Sequence, residues 1–516
     1  MLAYAIAGFL AACLVSASLT MLVRGIAPRL GLTDRPDAHR KLHDRPIPLG
    51  GGIAVFLATV TVLGATVVVP NPWNLRVEQD YREIVSFLVA MGGVVLLGVV
   101  DDRVVVRGRH KLFGQVVAAS ILMAGGLVIR KVGLFGWDIE LGLLSIPVTL
   151  FWLVGATNAV NLLDGSDGLA TTLGIIVSLA IAAMAALTGH PAVAFVALVF
   201  TGSLVGFLRF NFPPATIFLG DAGSMLIGLM AGAMAIRASL KGPGTVLLAA
   251  PMAMLAIPIL DSTVAILRRK LTGRSIYTTD RGHLHHQLLA RFGSNHTVLA
   301  CVAVCCVLTS ATGLLSAALK SDLIALISCL ALVVVFITTG LFGRGEFLLL
   351  AGRLRNLGLS LVRPIGPNRA GGHETAVQLQ GSRRWNDLWA MLVHSAEELK
   401  LDKVQLDLNH PAAQEGFNAS WERQSLEELD RYWSLEYPLM VEGRPVGRLR
   451  LVGQGTREPL CERLGDLLNV VQPFEKEFQM LLKKDVAKGQ RIHRDGAKGE
   501  RVIALRETVA LVKRQA

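Results

Sequence analysis

The sequence has no CxxC pair, and its six cysteines, Cys13, Cys301, Cys305, Cys306, Cys329 and Cys461, lie mostly inside apolar runs. That placement excludes a zinc ribbon and a disulfide framework and leaves the cysteines as small core residues. Residues 1–23 lack the basic start and small-residue cleavage site of a secretory leader, so the first apolar run is expected to stay as a membrane span. No internal repeat is visible, which weighs against transporters built from two related halves around a midplane site. A concentrated basic patch is missing too. The net charge is +12, but Lys and Arg fall in the loops between apolar runs, where they set topology and argue against a nucleic-acid partner.

What the chain does have is apolar sequence. Hydrophobic residues make up 52% of its 516 residues, and the mean hydropathy is +0.51, more than one soluble core absorbs. Eleven apolar runs of span length are expected as helices near 3–23, 49–70, 84–100, 112–129, 141–157, 169–187, 191–208, 216–236, 245–267, 297–318 and 323–343. Loops 24–48, 101–111, 158–168, 209–215 and 268–296 fall on one side and hold seventeen Lys and Arg, against seven in the opposite loops. The positive-inside rule makes the rich side cytoplasmic. The fold class is therefore an all-α polytopic membrane protein of about eleven transmembrane helices with a C-terminal cytoplasmic α+β domain. Its expected divisions are a membrane domain at 1–345, a linker at 346–371, the α+β domain at 372–483 and a basic tail at 484–516. The tail is either disordered or laid on the anionic inner leaflet.

Acidic, amide and histidine residues collect in the five cytoplasmic loops. The first loop runs from Asp34-Arg35-Pro36 through Arg40-Lys41 to Gly50-Gly51-Gly52, a basic segment leading to a backbone that a phosphate can approach, or else a plain topology-setting loop. The third run ends in Asp101-Asp102. Adjacent carboxylates repel unless a cation or proton lies between them, and a solvated helix end is the ordinary alternative. The segment Asn158 to Gly168 places Asn161, Asp164 and Asp167 at intervals of three, so a helical turn there puts them on one face. Packing gives no reason to hold so many polar groups between two apolar spans. Asp221 sits between Gly220 and Gly223 at the start of the eighth run, as a further candidate metal ligand. Asp280-Arg281-Gly282-His283-Leu284-His285-His286 follows the ninth. Three histidines are compatible with zinc, yet the carboxylates around a basic surface favour oxygen-preferring Mg²⁺, with Mn²⁺ as its substitute. Asp261, inside the ninth run, is either functional or a partner within the bundle.

The ordered set Asp34-Arg35-Pro36, Asp101-Asp102, Asn161-Leu162-Leu163-Asp164-Gly165-Ser166-Asp167-Gly168, Asn211, Phe218-Leu219-Gly220-Asp221-Ala222-Gly223-Ser224 and His283-Leu284-His285-His286 resembles the polyprenyl-phosphate N-acetylhexosamine-1-phosphate transferases, glycosyltransferase family 4. The likeness spans roughly residues 1–345. It implies transfer of a sugar 1-phosphate from a UDP-sugar to undecaprenyl phosphate, with UMP released, at the cytoplasmic face of a bacterial inner membrane. It implies a catalytic set of Asp101, Asp102, Asp164, Asp167, His283, His285 and His286, with Asp101 activating the lipid phosphate. Substrate contacts are expected from Arg40, Lys41, Lys111, Asn158, Asn161, Asn211 and Arg281, and metal ligation from Asp221, Asp102 and Asn161. The histidine run continues into Gln287, which is like the branch that uses UDP-GlcNAc, whereas the phospho-MurNAc-pentapeptide branch has three consecutive histidines followed by Phe-Glu. The C-terminal domain shows no catalytic constellation. It is expected to run strand, amphipathic helix 384–401, four strands at 403–408, 417–423, 431–441 and 445–452, and a closing helix at 457–483, an order like that of a GAF-type module. Regulation, partner docking and homodimer formation are all open for it. A transporter with a cytosolic domain is the alternative of another class.

Overall fold

The structure, a computed structural model, describes residues 2–34, 46–68, 81–104, 106–242, 245–271, 282–351, 354, 373–380, 385–410, 415–423, 432–441, 444–454, 474, 475 and 478. Arg40, Lys41 and Arg281, most of the expected linker and closing helix, and the basic tail lie outside the described residues. The chain divides into two compact units, one of Met1–Lys270 with Ser275–Arg344 and one formed chiefly by Gly345–Ala516.

The first unit is a helical bundle: α1 (Leu2–Ile26), α2 (Gly51–Val68), α3 (Tyr81–Arg103), α4 (Gly108–Ala124), α5 (Ser145–Leu163), α6 (Leu169–Leu187), α7 (Pro191–Asn211) and α8 (Gly220–Ala238). After these come α9 (Ala249–Met254), α10 (Ala256–Leu271), α11 (Leu284–Phe292), α12 (Asn295–Leu319) and α13 (Asp322–Thr338). Among the described residues, six helices are long and apolar enough to cross a membrane: Leu2–Leu30, Tyr81–Arg103, Gly142–Leu163, Leu169–Leu187, Pro191–Asn211 and Asn295–Leu319. Gly51–Thr66 and Asp322–Thr338 are shorter apolar helices.

Helix α8 is the axis of this unit. Nearly all of its side chains are buried, and it packs against α2, α3, α5 and α6. Small residues make that possible, because apolar helices in hydrocarbon gain association mainly from close packing. A Cβ added to Gly98 of α3 would lie 2.2 Å from the Ala222 Cα, and one added to Gly52 of α2 would lie 2.2 Å from the Gly223 nitrogen. The backbones of α2 and α3 thus touch the first turn of α8 directly.

Two features depart from the all-helical expectation. The ninth run does not form one helix. It opens as a strand and then breaks at Leu255 between α9 and α10, where Pro258 has no N–H to offer the Met254 carbonyl. Loops on the far side of the bundle from Asp221 also build a four-stranded sheet. Its strands β3 (Lys131–Leu134), β4 (Trp137–Glu140), β5 (Leu240–Gly242) and β6 (Thr245–Leu247) lie in the order β4-β3-β6-β5. These loops are too short and chemically plain to announce strands, and the β3–β6 pairing joins segments more than a hundred residues apart in sequence. On the other side, β1 (Thr33–Asp34) and β2 (Ile47–Pro48) form a two-residue antiparallel pair.

The second unit holds a five-stranded antiparallel sheet, order β10-β11-β8-β9-β7, from β7 (His373–Gln380), β8 (Lys403–His410), β9 (Glu415–Glu422), β10 (Tyr432–Val441) and β11 (Arg444–Gln454). Helix α14 (Trp385–Glu398) buries Trp385, Leu388, Trp389, Leu392 and Ala396, one helical stripe, against Leu406, Phe417 and Leu449 of the sheet.

The contact at Gly98 gives a direct test. Gly98→Ala forces overpacking against backbone that cannot yield and is expected to cost about 1–3 kcal/mol, read as a lower melting temperature of the detergent-solubilised protein. Gly93→Ala, five residues back on the same helix where nothing lies within 4 Å, is expected to leave melting unchanged or raise it.

Candidate active site

Asp221 occupies the first turn of α8, where exposed N–H groups favour negative charge. Its Oδ2 accepts from the Lys111 ammonium at 2.5 Å, and the same ammonium lies 3.0 Å from Asp101 Oδ2. Lys111 is therefore a bridge between two carboxylates. The other oxygen, Oδ1 of Asp221, accepts from Asn161 Nδ2 at 2.8 Å, and Asn161 also donates to Ser224 Oγ at 2.8 Å. Asp101 closes α3, its Oδ1 accepting from the Val106 backbone at 2.7 Å, and the chain turns directly into α4, which carries Lys111. Adjacency of the two helices in sequence thus brings base and acid together.

Asp102 does different work from its neighbour. Its Oδ1 accepts the Asp221 N–H at 2.8 Å and its Oδ2 the Ala222 N–H at 3.5 Å, so it caps α8 from another helix. Gly220, at φ +74°, leaves the room this needs, since a Cβ there would lie 2.4 Å from Asp102 Oδ2. An expected metal ligand is thereby occupied with positioning Asp221.

The Asp164 turn lies beside this group. Withdrawal from water pushes the Asp164 carboxyl up to about 8, and the carboxylates of Asp221, Asp102 and Asp167 add to the effect. His285 lies against the same turn: a Cβ on Gly165 would collide with its Nε2. Both ring nitrogens of His285 are buried without a hydrogen-bond partner among the described residues. Burial, and then the neighbouring His286 and His283, hold this imidazole well below its ordinary pKa. The rings of His285 and His286 are 4.2 Å apart and those of His283 and His285 6.1 Å.

Several expected contacts point into the scaffold instead. Asn158 is locked to Gln115 in a reciprocal amide pair, with Nδ2 to Oε1 2.6 Å and Nε2 to Oδ1 3.2 Å. Asn211 donates to the Ile217 carbonyl and accepts from Thr171, while Asp167 accepts the Ala215 N–H. Together Asn211 and Asp167 fix the 212–217 turn that leads into α8. The glycines after the basic loop are likewise engaged, Gly51 N–H donating to the Phe218 carbonyl and Gly52 N–H to that of Leu219. Ser224 enters the sequence reading only as the end of the Phe218–Ser224 motif, and Gln115 does not enter it at all. Gln115 is a fully buried amide inside an expected span, and that mismatch was the available signal.

Among the described residues no three His, Cys, Asp or Glu side chains converge as a self-sufficient metal site. Mg²⁺ asks for less, one or two carboxylates with substrate phosphates completing its shell. Asp101 and Asp221 turn carboxylate oxygens to a common point, and the Lys111 ammonium between them shows that this pair draws a cation, so the residues present fit Mg²⁺.

Residues 84–239, which contain Asp101, Lys111, Asn161, Asp164 and Asp221, match the model of glycosyl transferase family 4. Across 295 residues, 56% of this chain and 78% of the relative, the chain is 33% identical to the "Probable undecaprenyl-phosphate N-acetylglucosaminyl 1-phosphate transferase" of Bacillus subtilis (strain 168). The chain belongs to glycosyl transferase family 4. It is also 35% identical over 315 residues to the decaprenyl-phosphate N-acetylglucosaminephosphotransferase of Mycobacterium tuberculosis (strain ATCC 25618 / H37Rv), covering 56% of this chain and 76% of that one. It is 32% identical over 276 residues to the phospho-N-acetylmuramoyl-pentapeptide-transferase of Moorella thermoacetica (strain ATCC 39073 / JCM 9320), covering 50% and 82%. The family match thus falls on the membrane unit and holds both the Lys111 bridge and the cap on α8.

The buried imidazole sets a pH dependence. Because the folded pKa of His285 is depressed, the unfolded chain takes up a proton below about 6.5 that the native site refuses, so stability is lost as pH falls. Between pH 7.5 and 5.5 the melting temperature is expected to drop further in the wild type than in His285→Gln, the difference reflecting about 1.4 kcal/mol per pH unit at most.

Proposed function

We propose that this multi-pass membrane protein transfers N-acetylglucosamine 1-phosphate from UDP-GlcNAc to undecaprenyl phosphate, releasing UMP and starting a lipid-linked cell-surface polysaccharide such as an O-antigen. The observation that carries the reading is the Lys111 bridge between Asp101 and Asp221 at the N-terminus of α8, which assembles cation, acid and helix dipole at one point. Both reactants are anionic, so neutralising and aligning two phosphates is most of the task.

Lys111 binds a phosphate oxygen once its carboxylate partners engage the substrates. Asp101 Oδ2 takes the last proton of the lipid phosphate, whose second pKa near 6 already leaves that group mostly ionised. Asp221 and Asn161 would hold Mg²⁺, or Mn²⁺ in its place, which when bound supplies charge neutralisation on the donor diphosphate. Asp102 keeps Asp221 in register, Asp164 lines the same face, and His283, His285 and His286 meet sugar or phosphate. Arg40, Lys41 and Arg281 add positive charge from the flanking loops.

The reading places eleven spans in a bacterial inner membrane with the site on the cytoplasmic side, supported by the Lys and Arg excess of those loops. The C-terminal sheet module is cytoplasmic in this arrangement and serves regulation or homodimer contact. A second reading, phospho-MurNAc-pentapeptide transfer, draws on the likeness to the Moorella relative. Gln287 after the histidines favours UDP-GlcNAc.

The test is transfer of label into lipid by the detergent-purified full chain with Mg²⁺, undecaprenyl phosphate and radiolabelled UDP-GlcNAc, with UDP-MurNAc-pentapeptide run in parallel. Label from UDP-GlcNAc with release of UMP is expected, lost with EDTA and restored by Mg²⁺. Asp101→Asn and Asp221→Asn are each expected to lower kcat by roughly 10²–10⁴. Label from the pentapeptide nucleotide alone would move the protein to the second reading.

A further inference from the structure

Asp261 lies in α10, and its side chain is 0% exposed. A carboxylate is kept in such a place only when its oxygens are fully engaged. Here Oδ2 is 2.8 Å from His283 Nδ1, and Oδ1 accepts the Leu284 backbone N–H at 2.7 Å. His283 stands at the N-cap of α11 and makes no side-chain cap of its own. Asp261 supplies that cap from a different helix and sets a negative charge on the N-terminus of α11.

A second residue of α10 holds the same segment. Arg268, seven positions on from Asp261 and so on the same helical face, donates to the Gly282 carbonyl at 2.8 Å. Gln287 Nε2 donates to that carbonyl as well, at 3.0 Å. The backbone from Gly282 to Leu284 is therefore clamped to α10 at two points, an acceptor on one side and a donor on the other. A Cβ on Gly282 would run into the Arg268 guanidinium, so the segment can lie this close only because the residue is glycine.

We infer that Asp261 is a positioning residue for the transfer reaction: it fixes the ring of His283 and the start of α11, and through them seats the histidine cluster against the Asp164–Gly165 turn. The Nδ1–H of His283 is committed to Asp261, leaving Nε2 as the nitrogen presented to a ligand. The His283 and His285 rings are nearly parallel, at 12° with centroids 6.1 Å apart, and His285 abuts Gly165, so the seat of α11 that Asp261 fixes also sets where His285 meets the carboxylate face. The inference rests on the proposed function, because it assigns the histidines to the substrate.

The test uses the full chain in detergent with undecaprenyl phosphate and UDP-GlcNAc, comparing wild type, Asp261→Asn, His283→Gln and the double variant by kcat, KM and melting temperature. In Asp261→Asn the amide oxygen still accepts the Leu284 N–H, but the amide nitrogen donates toward His283 and selects the other tautomer. The expected result is a 10–100-fold loss of kcat/KM with melting within a few degrees of wild type, in line with loss of the group that orients a ligand's histidine. No further loss is expected when the same change is made in His283→Gln. Wild-type kcat/KM in Asp261→Asn overturns the inference, and so do losses that multiply in the double variant. Activity that falls only in step with the folded fraction also overturns it, since that is a purely structural role. If Asp261→Asn does not fold, Asp261→Glu carries the test, with the charge kept but displaced by one methylene. If the wild type transfers nothing from UDP-GlcNAc, the donor reading fails instead, and the same variant ratios are read with UDP-MurNAc-pentapeptide. Failure with both donors overturns the inference along with the function.

Discussion

Four carboxylates, Asp101, Asp102, Asp164 and Asp221, are drawn together around the N-terminus of one buried helix, and left alone they would drive the bundle apart at that end. The structure meets that repulsion in three distinct ways. Lys111 places a full positive charge between Asp101 and Asp221. Backbone N–H groups of α8 take up Asp102. Asp164, with neither among the described residues, is driven toward its protonated form, with a pKa of about 8. The placement of α3 and α5 around α8 follows from this arrangement, because each must come close enough to deliver its polar group while its apolar length still packs. Backbone contact at Gly52 and Gly98 is how that closeness is reached.

Much of the site was legible in the sequence because charge inside apolar sequence has so few innocent explanations. Asp101, Asn161 and Asp221 stand out as polar groups at the ends of apolar runs, Lys111 comes from the family resemblance, and these four are the residues that meet. The pattern could not tell which way a side chain turns once it arrives. Asp102 follows Asp101 directly, yet a 100° step round the helix sends one to Lys111 and the other to the backbone of α8. Asn158 and Asn161 share a face, and one reaches Asp221 while the other is taken by Gln115, a partner 43 residues away in sequence.

The fold was readable to the same depth and for the same reason. Apolar periodicity marks where helices run, and the strands of the C-terminal sheet alternate cleanly enough to be placed within a few residues. The four-stranded sheet on the far side of the bundle escaped, since parallel pairing of β3 with β6 is a long-range event that leaves no local signature. The break at Leu255 was written in the sequence as Pro258, but hydropathy averaged over a span smooths over one residue.

The Gln115–Asn158 pair joins α4 to α5 immediately beside the charged cluster, and it is neutral on both sides. Two amides exchanging hydrogen bonds have nothing to titrate and nothing for salt to screen. The helix that carries Lys111 is thus held against α5 by a fastening that neither a change of pH nor added salt loosens, whatever charge stands next to the ammonium.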